Sequence, residues 1–182
     1  MSEKTGALNC MKDQQKIVEN SQRKYIVRRL TELECCRLQG LPDCEGNGWA
    51  DIPPVEEATD ADVEFWKPYW DEWCDINGLP HKSKRFIRKW LESPISGSEQ
   101  YKMYGNGIAT PQWFYTCEGI TEQYEGTGHT PTMASLFDGT GSFPYIWEEL
   151  NGKGTAVWSS EVNPNAIRVS MYRIDGRKGA DQ

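Results

Sequence analysis

The chain has 182 residues, a net charge of -7 from 27 acidic and 20 basic side chains, and a mean hydropathy of -0.71. That acidic balance does not suit a protein that coats nucleic acid uniformly, and no run of about 18 apolar residues is present to cross a bilayer. The opening MSEKTGALNCMKDQQK is polar and lacks the apolar stretch of a signal peptide, so the cytosol is the expected compartment and one domain, or two small incomplete ones, the expected content.

Residues 1–22 read as a frayed lead-in, and residues 24–29, KYIVRR, as a short strand rich in β-branched and aromatic side chains. Thr31 and Glu34 have capping-box spacing and open a short helix, which Gly40 ends and Pro42 forbids from continuing. Residues 42–58 read as an acidic loop rich in glycine and proline, and Thr59 or Asp60 as the cap of the next helix. The tryptophans at 66, 70 and 73 share one face of that helix, which makes them core rather than a base-stacking surface. A further helix is expected over residues 81–92, then a tight turn at Gly105-Asn106-Gly107, then an apolar helix over residues 111–119.

Residues 121–132, TEQYEGTGHTPT, have the composition of a linker. After them come a short apolar strand at 134–137, a glycine loop at 138–142, a helix at 143–150 and a strand at 155–159 leading to Glu161. Asn163 and Pro164 open a last helix over 165–172, and the tail beyond it reads as disordered. Basic clusters stand at Arg23, Lys24, Arg28 and Arg29, and at Lys82, Lys84, Arg85, Arg88 and Lys89. Solvated helix faces account for the second as readily as a binding surface does.

Six cysteines are present (Cys10, Cys35, Cys36, Cys44, Cys74, Cys117), but no CxxC pair is, and His81 and His129 have no ligand-like spacing to a cysteine. Free thiols in a reducing compartment and no metal site are expected. The chemistry is concentrated in the strand–glycine loop–helix–strand of residues 134–161. Glycines at the C-terminal end of a strand let the chain turn sharply and let a ligand lie against the backbone. An acid about 20 residues on, here Glu161, is placed to accept hydrogen bonds from both hydroxyls of a ribose. The third glycine of a dinucleotide fingerprint is missing, which favours a cofactor without a pyrophosphate.

SLFDGTGSFPYIWEEL and AVWSSEVNPNAIRV resemble the first two motifs of the C5-cytosine DNA methyltransferases, with Ser142 where the family usually has the second of two paired glycines. Residues 28–43 are similar to the family's ninth motif, and residues 101–111, YKMYGNGIATP, to its tenth. The resemblance implies S-adenosylmethionine as cofactor. It implies that Phe137 packs against the cofactor, that Asp138, Gly139, Thr140 and Gly141 line it, that Glu161 binds the ribose and that Val162 flanks the adenine. Asn106 and Gly107 would complete the pocket. The motif order is permuted, nine and ten preceding one and two, as in naturally permuted members.

The catalytic parts are missing: no cysteine follows a proline, and no Glu-Asn-Val occurs. An activated thiolate within reach of a flipped base is what the family's reaction needs. The expected fold is therefore α/β, a partial, permuted Rossmann-like methyltransferase fold with a helix-rich N-terminal part. Its expected divisions are a lead-in at 1–22, the ninth- and tenth-motif segment at 23–120, a linker at 121–132, a cofactor-binding β-α-β segment at 133–175 and a tail at 176–182. The expected function is a part of a DNA (cytosine-5-)-methyltransferase acting on double-stranded DNA, with the catalytic Pro-Cys on a second chain or in a longer parent. The alternatives are an inactive cofactor- or DNA-binding remnant, such as a decayed prophage gene product, and a non-catalytic subunit of a split enzyme. Arg28 and Arg29 are candidates for DNA phosphate contact, with an internal brace against the acidic loop as the alternative.

Overall fold

The computed structural model describes residues 16–20, 23–43 and 46–175, and the chain forms two units, Met1–Thr31 and Glu32–Gln182. In the first, β1 (Lys16–Asn20) pairs antiparallel with β2 (Arg23–Val27), Lys16 opposite Val27 and Asn20 opposite Arg23. The strand expected at 24–29 is thus shifted toward the N-terminus, and its partner lies in a stretch that reads as lead-in. KIVEN alone is a short segment with two β-branched residues; it becomes a strand by pairing.

The second unit opens with α1 (Glu32–Leu38) and the turn at Gly40, whose φ of +74° favours glycine and where a Cβ would lie 2.5 Å from Pro111 Cδ. An irregular segment leads to α2 (Asp60–Ile76). Thr59 caps α2 reciprocally: its Oγ1 accepts from the Asp62 N–H at 3.1 Å, and Asp62 Oδ2 accepts from the Thr59 N–H at 2.9 Å. Thr59→Ala is expected to cost about 1–2 kcal/mol, measured by urea denaturation, because the Asp62 N–H loses its acceptor and Asp62 Oδ2 loses the hydroxyl that donates to it.

Next come α3 (Lys84–Leu91), capped by Ser83, and α4 (Gly97–Asn106), capped by Ser96. Gly105 and Asn106 form the last turn of α4 rather than a separate tight turn, since neither adopts a positive φ and nothing interrupts the helical bonds before Gly107. The helix α5 (Thr110–Glu122) takes in the first two residues expected of the linker, and the Thr121 hydroxyl meets the Asn151 side-chain carbonyl at 3.2 Å. Residues 121–132 do not divide two units, because α5 packs along α6 (Ser142–Asn151) from across them.

Between α5 and α6 lies β3 (Met133–Leu136), parallel to β4 (Ala156–Ser160). The chain closes with α7 (Pro164–Ser170) and a π-helical turn, Met171–Asp175. The second unit is therefore a set of helices about a two-stranded parallel sheet. The tail at 176–182, Cys10 and Cys44 fall outside the described residues.

Apolar side chains gather in three clusters. Trp66 and Trp70 of α2 pack edge-on against Trp90 of α3 with Val63, Ile87 and Leu91, as the helical spacing predicts. Trp49, Tyr104 and Val169 centre a second cluster, and Cys117, Ile146 and Trp147 a third. The buried α7 gives Ile167 to the first and Val169 to the second. Part of the second basic cluster pairs with acids of α2, Lys84 with Glu64 and Arg88 with Asp60. No described helix is long and apolar enough to cross a membrane.

Candidate ligand-binding site

Two loops meet at the C-terminal ends of the parallel strands: residues 137–141 between β3 and α6, and residues 161–163 between β4 and α7. The Asp138 N–H donates to the Ser160 carbonyl at 2.9 Å, extending the strand pairing by one step. The Glu161 carboxylate then joins the loops. Its Oε2 accepts from the Gly139 N–H at 2.7 Å, and its Oε1 accepts from the Val162 and Asn163 N–H groups at 2.7 and 2.8 Å. A carboxylate has about four acceptor positions, so three are taken by backbone and one on Oε2 stays available to a ligand hydroxyl.

Phe137 lies just past β3 rather than in it, at φ +56° with its ring 85% exposed. A bulky aromatic in left-handed backbone is uncommon and costs about 1–2 kcal/mol, and exposing the ring adds a hydrophobic penalty. Strain combined with exposure is the pattern of a side chain held out for a partner. Gly139 has φ +61° and open space where a Cβ would stand, which leaves the backbone approachable. Gly141 differs: at φ +80° it packs against α7, and a Cβ would sit 2.5 Å from Ser170 Oγ. Its absent side chain serves packing rather than ligand access.

Asp138 is almost fully buried. Its Oδ1 accepts from the Ser135 hydroxyl at 2.8 Å, while Oδ2 is buried without a hydrogen-bond partner. Burial raises its pKa from 3.8 to about 6; the nearby Glu161 charge adds to the rise and the Ser135 hydrogen bond opposes it. Asp138 and Glu161 both border a cavity of about 310 Å³ bounded by α6, β4 and α7, at the lower end of the range for small-molecule pockets.

No protein-family model, curated protein or solved structure matches the chain.

Of the residues expected to hold a cofactor, Phe137, Asp138, Gly139, Thr140, Gly141, Glu161 and Val162 share this loop pair. Asn106 and Gly107 are exposed at the C-terminal end of α4, and no hydrogen bond among the described residues joins either to the two loops. Arg28 and Arg29 belong to the first unit, both exposed, with Arg28 Nη1 donating to the Arg29 carbonyl at 3.0 Å. Among the described residues no group of His, Cys, Asp or Glu is arranged to hold a metal ion. Cys36, Cys74 and Cys117 are buried, and burial pushes the Cys117 thiol up to about 11, the reverse of what a nucleophile needs.

Sequence reading missed Trp49, whose indole N–H donates to the Thr140 carbonyl at 3.0 Å. The one cue is a large aromatic between Gly48 and Ala50 in an acidic loop, where solvent alone gives it no reason to stand.

Proposed function

We propose that the chain carries the S-adenosylmethionine-holding part of a DNA (cytosine-5-)-methyltransferase, as a partial Rossmann-like fold in permuted motif order. The observation that carries this reading is the Glu161 carboxylate on the Gly139 N–H, which puts the acid and the glycine loop of the first two motifs at one point. Phe137 offers a face for the adenine, Gly139 an approachable backbone, and the remaining acceptor position of Glu161 a partner for a ribose hydroxyl. When bound, S-adenosylmethionine supplies an activated methyl group, which in the complete enzyme passes to C5 of a cytosine in double-stranded DNA. The thiolate for that reaction comes from a second chain or a longer parent bearing the Pro-Cys motif, since no cysteine here follows a proline. The packing of α5 on α6 supports a tenth-motif helix lying beside the first motif.

Calorimetric titration with S-adenosylmethionine tests the pocket. Saturable binding is expected, with Phe137→Ala weakening it about tenfold while leaving thermal stability equal or higher, because the substitution removes an exposed ring from a strained position. Glu161→Ala is expected to weaken binding by at least tenfold, about the worth of one charge-assisted hydrogen bond, and to loosen the loop pair as well. No binding at millimolar cofactor by the wild type, alone or with a chain bearing Pro-Cys, refutes the proposal. Binding that never yields methylation with such a chain present selects the non-catalytic remnant.

A further inference from the structure

Trp49 stands in the irregular segment between α1 and α2, only 2% exposed, and each of its polar groups is engaged. Its backbone N–H donates to Cys36 Sγ at 3.1 Å, and its carbonyl accepts from Arg173 Nε at 2.7 Å. The ring packs against Tyr145 at 4.9 Å between centroids, with the Arg173 guanidinium 5.6 Å from its centre. Arg173 Nη2 also takes the Gly48 and Asp51 carbonyls, each at 3.1 Å, while the Tyr104 hydroxyl accepts from the Ala50 N–H at 2.9 Å. Residues 48–51 are thereby clamped, and the one group of Trp49 directed outward, the indole N–H, reaches the Thr140 carbonyl. The contrast lies in Trp70, Trp113 and Trp147, whose indole nitrogens are buried without a hydrogen-bond partner.

Thr140 sits between Gly139 at φ +61° and Gly141 at φ +80°. The peptide that carries the Thr140 carbonyl has Gly141 on its C-terminal side, where no Cβ opposes a reorientation. The peptide itself is rigid and planar, so holding the Thr140 carbonyl also sets the direction of the Gly141 N–H. That N–H otherwise has only a 3.3 Å bond to the Asp138 carbonyl. Glu161 holds the turn at the Gly139 N–H, and Trp49 holds it two peptides further on.

We propose that Trp49, anchored by Arg173, is a positioning residue that holds the glycine turn in its ligand-receiving conformation through the indole N–H on the Thr140 carbonyl. The ligand part of this inference rests on the proposed cofactor reading; the conformational part does not. The test replaces Trp49 by β-(3-benzothienyl)alanine, which keeps the two-ring shape and puts sulfur in place of the N–H, and compares it with Trp49→Phe and Arg173→Gln. Residue-resolved amide exchange is read alongside titration with S-adenosylmethionine. The Gly141 amide is expected to exchange at least tenfold faster in the benzothienyl variant, with α2 amides unchanged, and cofactor affinity to fall about tenfold. Arg173→Gln is expected to move both readouts in the same direction. Unchanged exchange at Gly141 in a folded benzothienyl variant overturns the inference. Absence of cofactor binding by the wild type overturns the cofactor reading instead, and the exchange result still decides the role of Trp49.

Discussion

Arg168→Met is expected to destabilise the second unit by about 3–5 kcal/mol, a large share of the stability of an ordinary domain. The guanidinium is buried and faces carbonyls rather than a carboxylate: Nη1 donates to Trp90 O at 2.9 Å and Ser93 O at 3.2 Å, and Nη2 donates to Leu91 O at 2.9 Å. These carbonyls lie at and just beyond the C-terminal end of α3, where a cation also suits the helix dipole. The group lies 5.1 Å from the Trp90 ring centre. Burial lowers its pKa to about 10, which still leaves it charged at neutral pH. Methionine fills similar volume but removes three hydrogen bonds from a charged donor, each worth about 1.5–3 kcal/mol, although Leu91 O keeps the Val55 N–H at 3.0 Å and Trp90 O the Ser93 N–H at 3.3 Å. Arg168→Lys keeps the charge and loses the fork, so it should fall between. Urea denaturation at pH 7 checks both, and a loss below about 1 kcal/mol for Arg168→Met would show that the three guanidinium bonds contribute little to stability.

Asp138→Asn is expected to stabilise the protein at pH 7.5 by about 2–3 kcal/mol, from a pKa raised by roughly two units at about 1.4 kcal/mol each. The sign follows from the folded carboxyl titrating near 6 against 3.8 for an unhindered one. Below about pH 4 the group is protonated in both the folded and unfolded states and imposes no penalty. As the pH rises from about 4 to 6 the unfolded chain releases its proton while the folded chain holds it, so stability falls, and above 6 it stays at the lower level. Asparagine keeps an acceptor for the Ser135 hydroxyl and carries no charge. Stability curves of wild type and variant between pH 3 and 8 are expected to converge at the acid end, to separate between about pH 4 and 6 and to run parallel above that. A difference that does not change with pH would disprove the assignment. Placing a carboxyl where it weakens the fold at neutral pH agrees with a site shaped for a ligand rather than for stability.

Asp138 stands in a motif the sequence displays, but its burial does not show there, and Arg168 is not advertised at all. Arg168 and Arg173 donate to backbone carbonyls, and every residue type supplies a carbonyl, so neither arginine has a partner identifiable by residue type or spacing. Trp49 meets Thr140 across 91 positions for the same reason. α4 has a weakly patterned sequence, GSEQYKMYGN, in which the apolar positions do not form a stripe; it is helical because Ser96 caps it and Tyr104 is drawn into the Trp49 cluster. β1 needed β2, since a single short strand has no partner for its hydrogen bonds.

The features the sequence determined alone are those set by neighbours in the chain. Thr59 and Asp62 close a capping box within four residues, the tryptophans of α2 fall on one face by helical period, and the glycines at 139 and 141 permit the turn that follows β3. That Gly139 and Glu161 stand at the same end of two parallel strands was legible too, because a strand–helix–strand unit carries both there whenever it forms; that the carboxylate accepts from the Gly139 N–H was not. Only the tertiary structure decided which glycine faces open space and which is packed against α7, that Phe137 is held out under strain, and that Asp138 is buried with one oxygen unpartnered. Those outcomes depend on what lies across each residue rather than beside it. Burial, and the cost of leaving a polar atom without a partner, is a property of the packed neighbourhood that no local spacing encodes.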